Sequence, residues 1–152
     1  MNRAERSVLD KTVLLVEDSS DDILLLEHAC RRCGVLHNLR FVMDGQAAID
    51  YLAGSNGYAD RQAHPLPRLI LLDVKLPKRN GHEVLQWIRD QPAFRNLPVI
   101  MLTGSRENAD IERAYQLGVT SYLQKNADVR DLDLAVAIVL KYWLEVNIPA
   151  TY

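Results

Sequence analysis

The chain has 152 residues, 48% of them apolar and 25% charged, with a formal net charge of −2 at pH 7. That length suffices for one domain with a full hydrophobic core, and the charge balance excludes nucleic-acid binding driven by a basic surplus. No apolar run approaches a membrane span, and the polar start Met1-Asn2-Arg3-Ala4-Glu5-Arg6 lacks a signal-peptide core. A cytoplasmic protein is expected, with no direct contact to membrane or nucleic acid.

Val13-Leu14-Leu15-Val16 is a short apolar run that ends in two acids, Glu17 and Asp18. Ser19, Ser20, Asp21 and Asp22 then offer N-cap candidates and negative charge for a first helical turn, with the helix expected to reach about Cys33 and stop at Gly34. The two cysteines, Cys30 and Cys33, close this helical pattern rather than open it. With Leu26 and Ala29 on the same face, they read as core packing and not as a redox or metal pair. Leu39 to Met43 reads as a second strand, and Asp44-Gly45 turns into a helix carrying Ala47, Ala48, Ile49 and Leu52.

A long polar loop, 54–67, leads to Arg68-Leu69-Ile70-Leu71-Leu72-Asp73. Four apolar residues in a row predict a strand buried on both faces, and it ends on a carboxylate. A helix with Val84, Leu85, Trp87 and Ile88 follows Gly81 and stops before Pro92. Residues 98–102 give a fourth strand that ends at Thr103-Gly104. A helix from about Asn108 to Leu117 precedes Gly118. Val119 to Leu123 reads as the fifth strand, ending near Lys125, and a last helix runs from after Asp128 to about Glu145. Residues 1–11 read as an N-terminal extension, 12–145 as the domain and 146–152 as a tail.

Five alternations of strand and helix predict an α/β fold with a doubly wound parallel sheet and helices on both faces. The flavodoxin-like strand order 2-1-3-4-5 is expected, with its switch point between strands 1 and 3. That topology brings Glu17, Asp18, Asp73, Thr103 and Lys125 to the carboxyl edge of one sheet. Three carboxylates in one crevice repel each other, and Mg²⁺, which takes hard oxygen ligands, would relieve them. With a hydroxyl and an ammonium nearby, the set suits attack of one carboxylate on phosphorus. The competing reading of any single acid here is a charged strand end meeting solvent.

Val16-Glu17-Asp18, Leu72-Asp73-Val74-Lys75-Leu76-Pro77 with Gly81, Thr103-Gly104 and Tyr122-Leu123-Gln124-Lys125 together resemble a response-regulator receiver domain over nearly the whole chain. The resemblance implies that Asp73 accepts a phosphoryl group from a histidine of a sensor kinase. It implies Mg²⁺ held by Asp18, Asp73 and the Lys75 carbonyl, with Glu17 acting through water. Thr103 and Lys125 would contact the phosphoryl oxygens, and Tyr122 would swing inward as Thr103 moves. The chain would then be a phosphoacceptor, not an enzyme acting on metabolites. The proline usual after the lysine is replaced by Asn126, which leaves the isomer of the Lys125–Asn126 bond open. The stretches 110–115 and 117–122, the long loop and Trp143 resemble the small regulators paired with cyanobacterial phytochromes, which implies a red/far-red photoreceptor as the donor kinase.

Two readings compete with the phosphorylated switch: a receiver-like interaction module that carries no phosphate, and an FMN-binding protein. The second would put its phosphate loop where Glu17 and Asp18 repel it. Residues 134–140 have no polar side chain, so the last helix is apolar all round. This predicts a homodimer through that helix, with Tyr142, Trp143 and Ile148 contributing, or else a tail that folds back over the face. No room is expected for a DNA-binding effector after the last strand. His28, His37, His64 and His82 read as ordinary solvated residues, and the Lys75 side chain is expected to influence phosphate lifetime.

Overall fold

A computed structural model describes residues 11–34, 39–104, 107–125 and 128–150. The strands are β1 (Val13–Val16), β2 (Leu39–Val42), β3 (Leu69–Leu72), β4 (Val99–Thr103) and β5 (Ser121–Gln124). Between and after them lie α1 (Ser20–Arg32), α2 (Gly45–Ala53), α3 (Gly81–Asp90), α4 (Asn108–Gln116) and α5 (Val129–Lys141). All pairings are parallel, in the order β2-β1-β3-β4-β5. This is the expected sheet.

The apolar runs are uninterrupted because each strand serves two cores, one on each face of the sheet. Leu14, Val16, Ile70, Leu72, Val99 and Met101 pack against α2, α3 and α4. Their neighbours Val13, Leu15, Leu69, Leu71, Ile100 and Leu102 pack against α1 and α5. Cys30 lies in this second core as a free thiol, and burial pushes its pKa up to about 12, which suits packing and not redox chemistry.

Local chemistry sets the helix starts. Ser19 Oγ accepts from the Asp22 amide, Asp44 Oδ1 from Ala47, and Asn80 forms a reciprocal capping box with Glu83. Gly34, at φ 76°, ends the turn after α1 as expected.

The structure departs from expectation at three places. β5 begins at Ser121, two residues late, because Val119 is buried closing the end of α4, where its amide donates to the Ala114 carbonyl. α5 stops at Lys141 and continues as a π-helical turn over Tyr142–Val146, held where the Arg68 guanidinium donates to the Leu144 carbonyl. The described part of the tail does not cover α5: Leu134 and Ile138 are 62% and 61% exposed, and Ile148 is 91% exposed.

The histidine reading also needs correction. His82 is buried on α3, and its Nε2 donates to the Asp110 carbonyl at 2.9 Å, a carbonyl being able only to accept. His64 stacks edge-on to the rings of Tyr51 and Tyr58 inside the long loop. His28 is half-exposed with Nε2 3.8 Å from Asp133 Oδ2, while His37, like Asn126, lies outside the described residues. No helix among the described residues is long and apolar enough to cross a membrane.

Candidate functional site

The register of the sheet places the acids. Val16 pairs with Leu72, and one residue further the Asp73 amide donates to the Val16 carbonyl at 3.1 Å. Glu17 and Asp73 therefore leave neighbouring strands at the same level. The Glu17 amide is held by the Val42 carbonyl, and the Lys125 amide by the Thr103 carbonyl at 2.8 Å, so main-chain bonds also fix the levels of β1 and β5.

Carboxylate oxygens of Glu17, Asp18 and Asp73 all lie within 4.8 Å of one another. Glu17 is buried to 1% exposure and Asp73 to 7%, whereas Asp18 is exposed. One oxygen of Asp73 accepts from the Val74 amide at 2.8 Å and the other lies 3.6 Å from the Lys125 ammonium. Glu17 accepts from the Ser19 amide with one oxygen and from Lys125 with the other.

Electrostatics within the cluster are unbalanced. Burial, with the Asp73 charge adding to it, raises the Glu17 carboxyl to about 7, although the Lys125 hydrogen bond works against this. Burial also opposes the Lys125 ammonium, but Asp22, Glu17 and Asp73 outweigh it and hold its pKa above the usual lysine value. Three hard oxygen donors close together, one of them at the mouth and short of positive charge, fit a divalent cation such as Mg²⁺.

The other expected residues lie after β3, at the end of β4, and on and just after β5. Thr103, 2% exposed, ends β4 and faces the same edge. Lys75 follows on the turn after β3 with its side chain exposed, and Tyr122 is half-buried against the core on the α2–α4 face. Lys125 reaches over to the acids, where its ammonium touches Glu17 and Asp22, the latter at 2.8 Å.

Asp22 is the residue that sequence reading missed as part of the site. It was legible only as a charge in the first turn of α1. Yet that turn starts at the carboxyl edge, and there the Asp22 carboxylate reaches Lys125.

A family pattern described as the response regulator receiver domain matches residues 13–137. The chain belongs to that family. Among its relatives, response regulator Rcp1 of Synechocystis sp. is 38% identical over 141 residues, covering 92% of this chain and 94% of Rcp1. The probable methanogenesis regulatory protein FilR2 of Methanothrix harundinacea is 40% identical over 135 residues, covering 89% and 84%. The crystal structure of the phosphorylated cyanobacterial phytochrome response regulator RcpA superposes with a TM-score of 0.86 at 35% identity, covering 93% of this receiver and 99% of RcpA. Rcp1 has also been crystallised in a Mn²⁺-bound form, with a TM-score of 0.83 and 36% identity over 93% of this receiver and 99% of that chain. The sheet order is thus that of a receiver domain, a family whose members are generally phosphoacceptors.

Proposed function

We propose that this receiver domain, residues 12–145, is a cytoplasmic switch that takes a phosphoryl group from a histidine of a sensor kinase onto Asp73. The observation that carries this is the convergence of Glu17, Asp18 and Asp73 at the end of two neighbouring strands, with Lys125 against them. A carboxylate oxygen of Asp73 attacks phosphorus, the P–N bond to the histidine breaks, and an aspartyl phosphate results. Glu17, Asp18, Asp73 and the Lys75 carbonyl would hold Mg²⁺, which when bound offsets the charge of the phosphoryl oxygens. Thr103 and Lys125 bind those oxygens, and Tyr122 follows the Thr103 hydroxyl inward, so the surface of α4, β5 and α5 reports the chemistry. The similarity to RcpA, a phytochrome response regulator, supports a red-light photoreceptor as the kinase.

Incubation with acetyl phosphate and Mg²⁺ is expected to add the mass of one phosphate to the intact protein, and EDTA to prevent it. A chain that gains no mass under these conditions would sink the proposal.

Output passes through protein contacts. Leu134 and Ile138 stand four residues apart on the exposed side of α5, and Tyr142 and Val146 continue the row at the same spacing along the π-helical turn. A stripe of this kind supports pairing of two copies through α5, in an isologous contact. Sedimentation is expected to give a dimer for the wild-type chain and a monomer for Ile138→Asp. A wild-type monomer throughout the micromolar range would remove the dimer.

A further inference from the structure

The Lys125 ammonium is shared among three carboxylates: Glu17, Asp22 at 2.8 Å and Asp73 at 3.6 Å. Two of the three, Glu17 and Asp73, also belong to the cluster with Asp18 that would hold a divalent cation. Asp22 does not. An ammonium and a divalent cation repel each other at such short range, so a cation on Glu17 and Asp73 weakens the hold of those two acids on Lys125. Filling the cluster therefore loosens Lys125 from its contacts there. What it keeps decides whether it stays near the phosphoacceptor or swings into water.

Asp22 is built to be that remaining contact. It lies in the first turn of α1, which is fixed from below by the bond from its own amide to the Ser19 hydroxyl at 3.3 Å. Its side chain is 33% exposed and that of Lys125 15%, so the pair sits at the rim of the crevice, where an ion pair keeps part of its strength. Its neighbour Asp21 carries the same charge on the same turn but is not among the carboxylates that Lys125 reaches.

We infer that Asp22 is a positioning residue, which retains the Lys125 ammonium beside Asp73 when a cation occupies Glu17 and Asp73. This rests on the reading of the acid cluster as a Mg²⁺ site. It adds a residue on α1 to the machinery, and it makes cation binding depend on a carboxylate that binds no cation. Among the described residues, removing Asp22 leaves the ammonium only the two acids for which the cation competes.

The test is a double-mutant cycle read as Mg²⁺ affinity by calorimetry on the unphosphorylated protein. Asp22→Asn is expected to weaken Mg²⁺ binding about three- to fivefold, the upper range for a charge contact at the rim of a crevice. Asp21→Asn, which removes an equal charge from the same turn, is expected to change it by less than about twofold, as a screened charge should. In a Lys125→Gln background, with no ammonium left to hold, Asp22→Asn is likewise expected to cost less than about twofold. An undiminished effect of Asp22→Asn in that background, or an equal effect of Asp21→Asn, would reduce Asp22 to a general charge and overturn the inference. Wild-type affinity retained by Asp22→Asn would overturn it alone, whereas a wild-type chain that binds no Mg²⁺ would remove the metal site as well.

Discussion

The Asp73→Asn variant is expected to gain no phosphate from acetyl phosphate and, in EDTA above pH 7, to be more stable than the wild-type chain. The loss follows from removing the nucleophilic oxygen. The gain follows from the charge count, since Asp73 is buried beside Glu17 with one ammonium shared among their neighbours. The amide oxygen of asparagine can still accept from the Val74 amide, as Asp73 does at 2.8 Å, and the contact surrendered to Lys125 is long, at 3.6 Å. What disappears is a negative charge that helps to hold the Glu17 carboxyl near 7.

The pH dependence has a definite sign. Glu17 keeps its proton in the folded chain up to about 7, whereas in the unfolded chain it releases it near its ordinary value of 4.5. Between those values the folded state binds more protons, so its stability falls as pH rises and is lowest above the upper value. Asparagine at 73 moves the Glu17 pKa downward and narrows that window. The difference between the two proteins should therefore be small at pH 4.5, open through pH 7 and stay open above it. One pKa unit of relief corresponds to about 1.4 kcal/mol, or roughly 3–6 °C in the unfolding midpoint of a domain this size. Millimolar Mg²⁺ should reverse the order, because it stabilises only the chain that retains all three acids. Thermal unfolding at pH 4.5 and 8 checks this, and identical midpoints at pH 8 in EDTA would show that the two carboxylates do not share a field.

Much of this arrangement was legible from the order of the residues. Strands buried on both faces need apolar side chains at every position, so β1, β3 and β4 stand out as unbroken runs, and their ends are marked by the first polar residue. The acids and Thr103 fall at those ends, and the parallel topology brings them together. β5 was harder. It is an edge strand with half-buried residues, and the β-branched Val119 just before it serves the end of α4 instead. At His82 position outweighs residue type: it sits one turn before Leu85 on the buried side of α3. Asp22 was not legible as part of the site, because its partner Lys125 comes 103 residues later and only the folded crevice joins them.

Gly81 carries a large expected loss of stability at the site itself. As the first residue of α3 it has no positive φ, so helix propensity alone predicts that Gly81→Ala gains about 1 kcal/mol. The packing predicts the opposite. A Cβ on Gly81 would lie 2.2 Å from the Asp73 carbonyl oxygen and 2.8 Å from the Val74 Cα. Both obstacles are backbone, and the Gly81 amide is itself bonded to the Val74 carbonyl at 2.8 Å, so neither side can yield by rotating a side chain. The loop that carries the phosphoacceptor must move. Overpacking of this severity costs about 3 kcal/mol, which lowers the midpoint by roughly 6–12 °C. Gly104→Ala provides the comparison, since nothing lies within 4 Å of its added Cβ and it should unfold close to wild type. Because the displaced atoms belong to Asp73 and Val74, Gly81→Ala should also lose phosphate uptake at temperatures where it remains fully folded. Wild-type uptake by folded Gly81→Ala would mean that the close approach of α3 to Asp73 serves packing alone and does not set the position of the carboxylate.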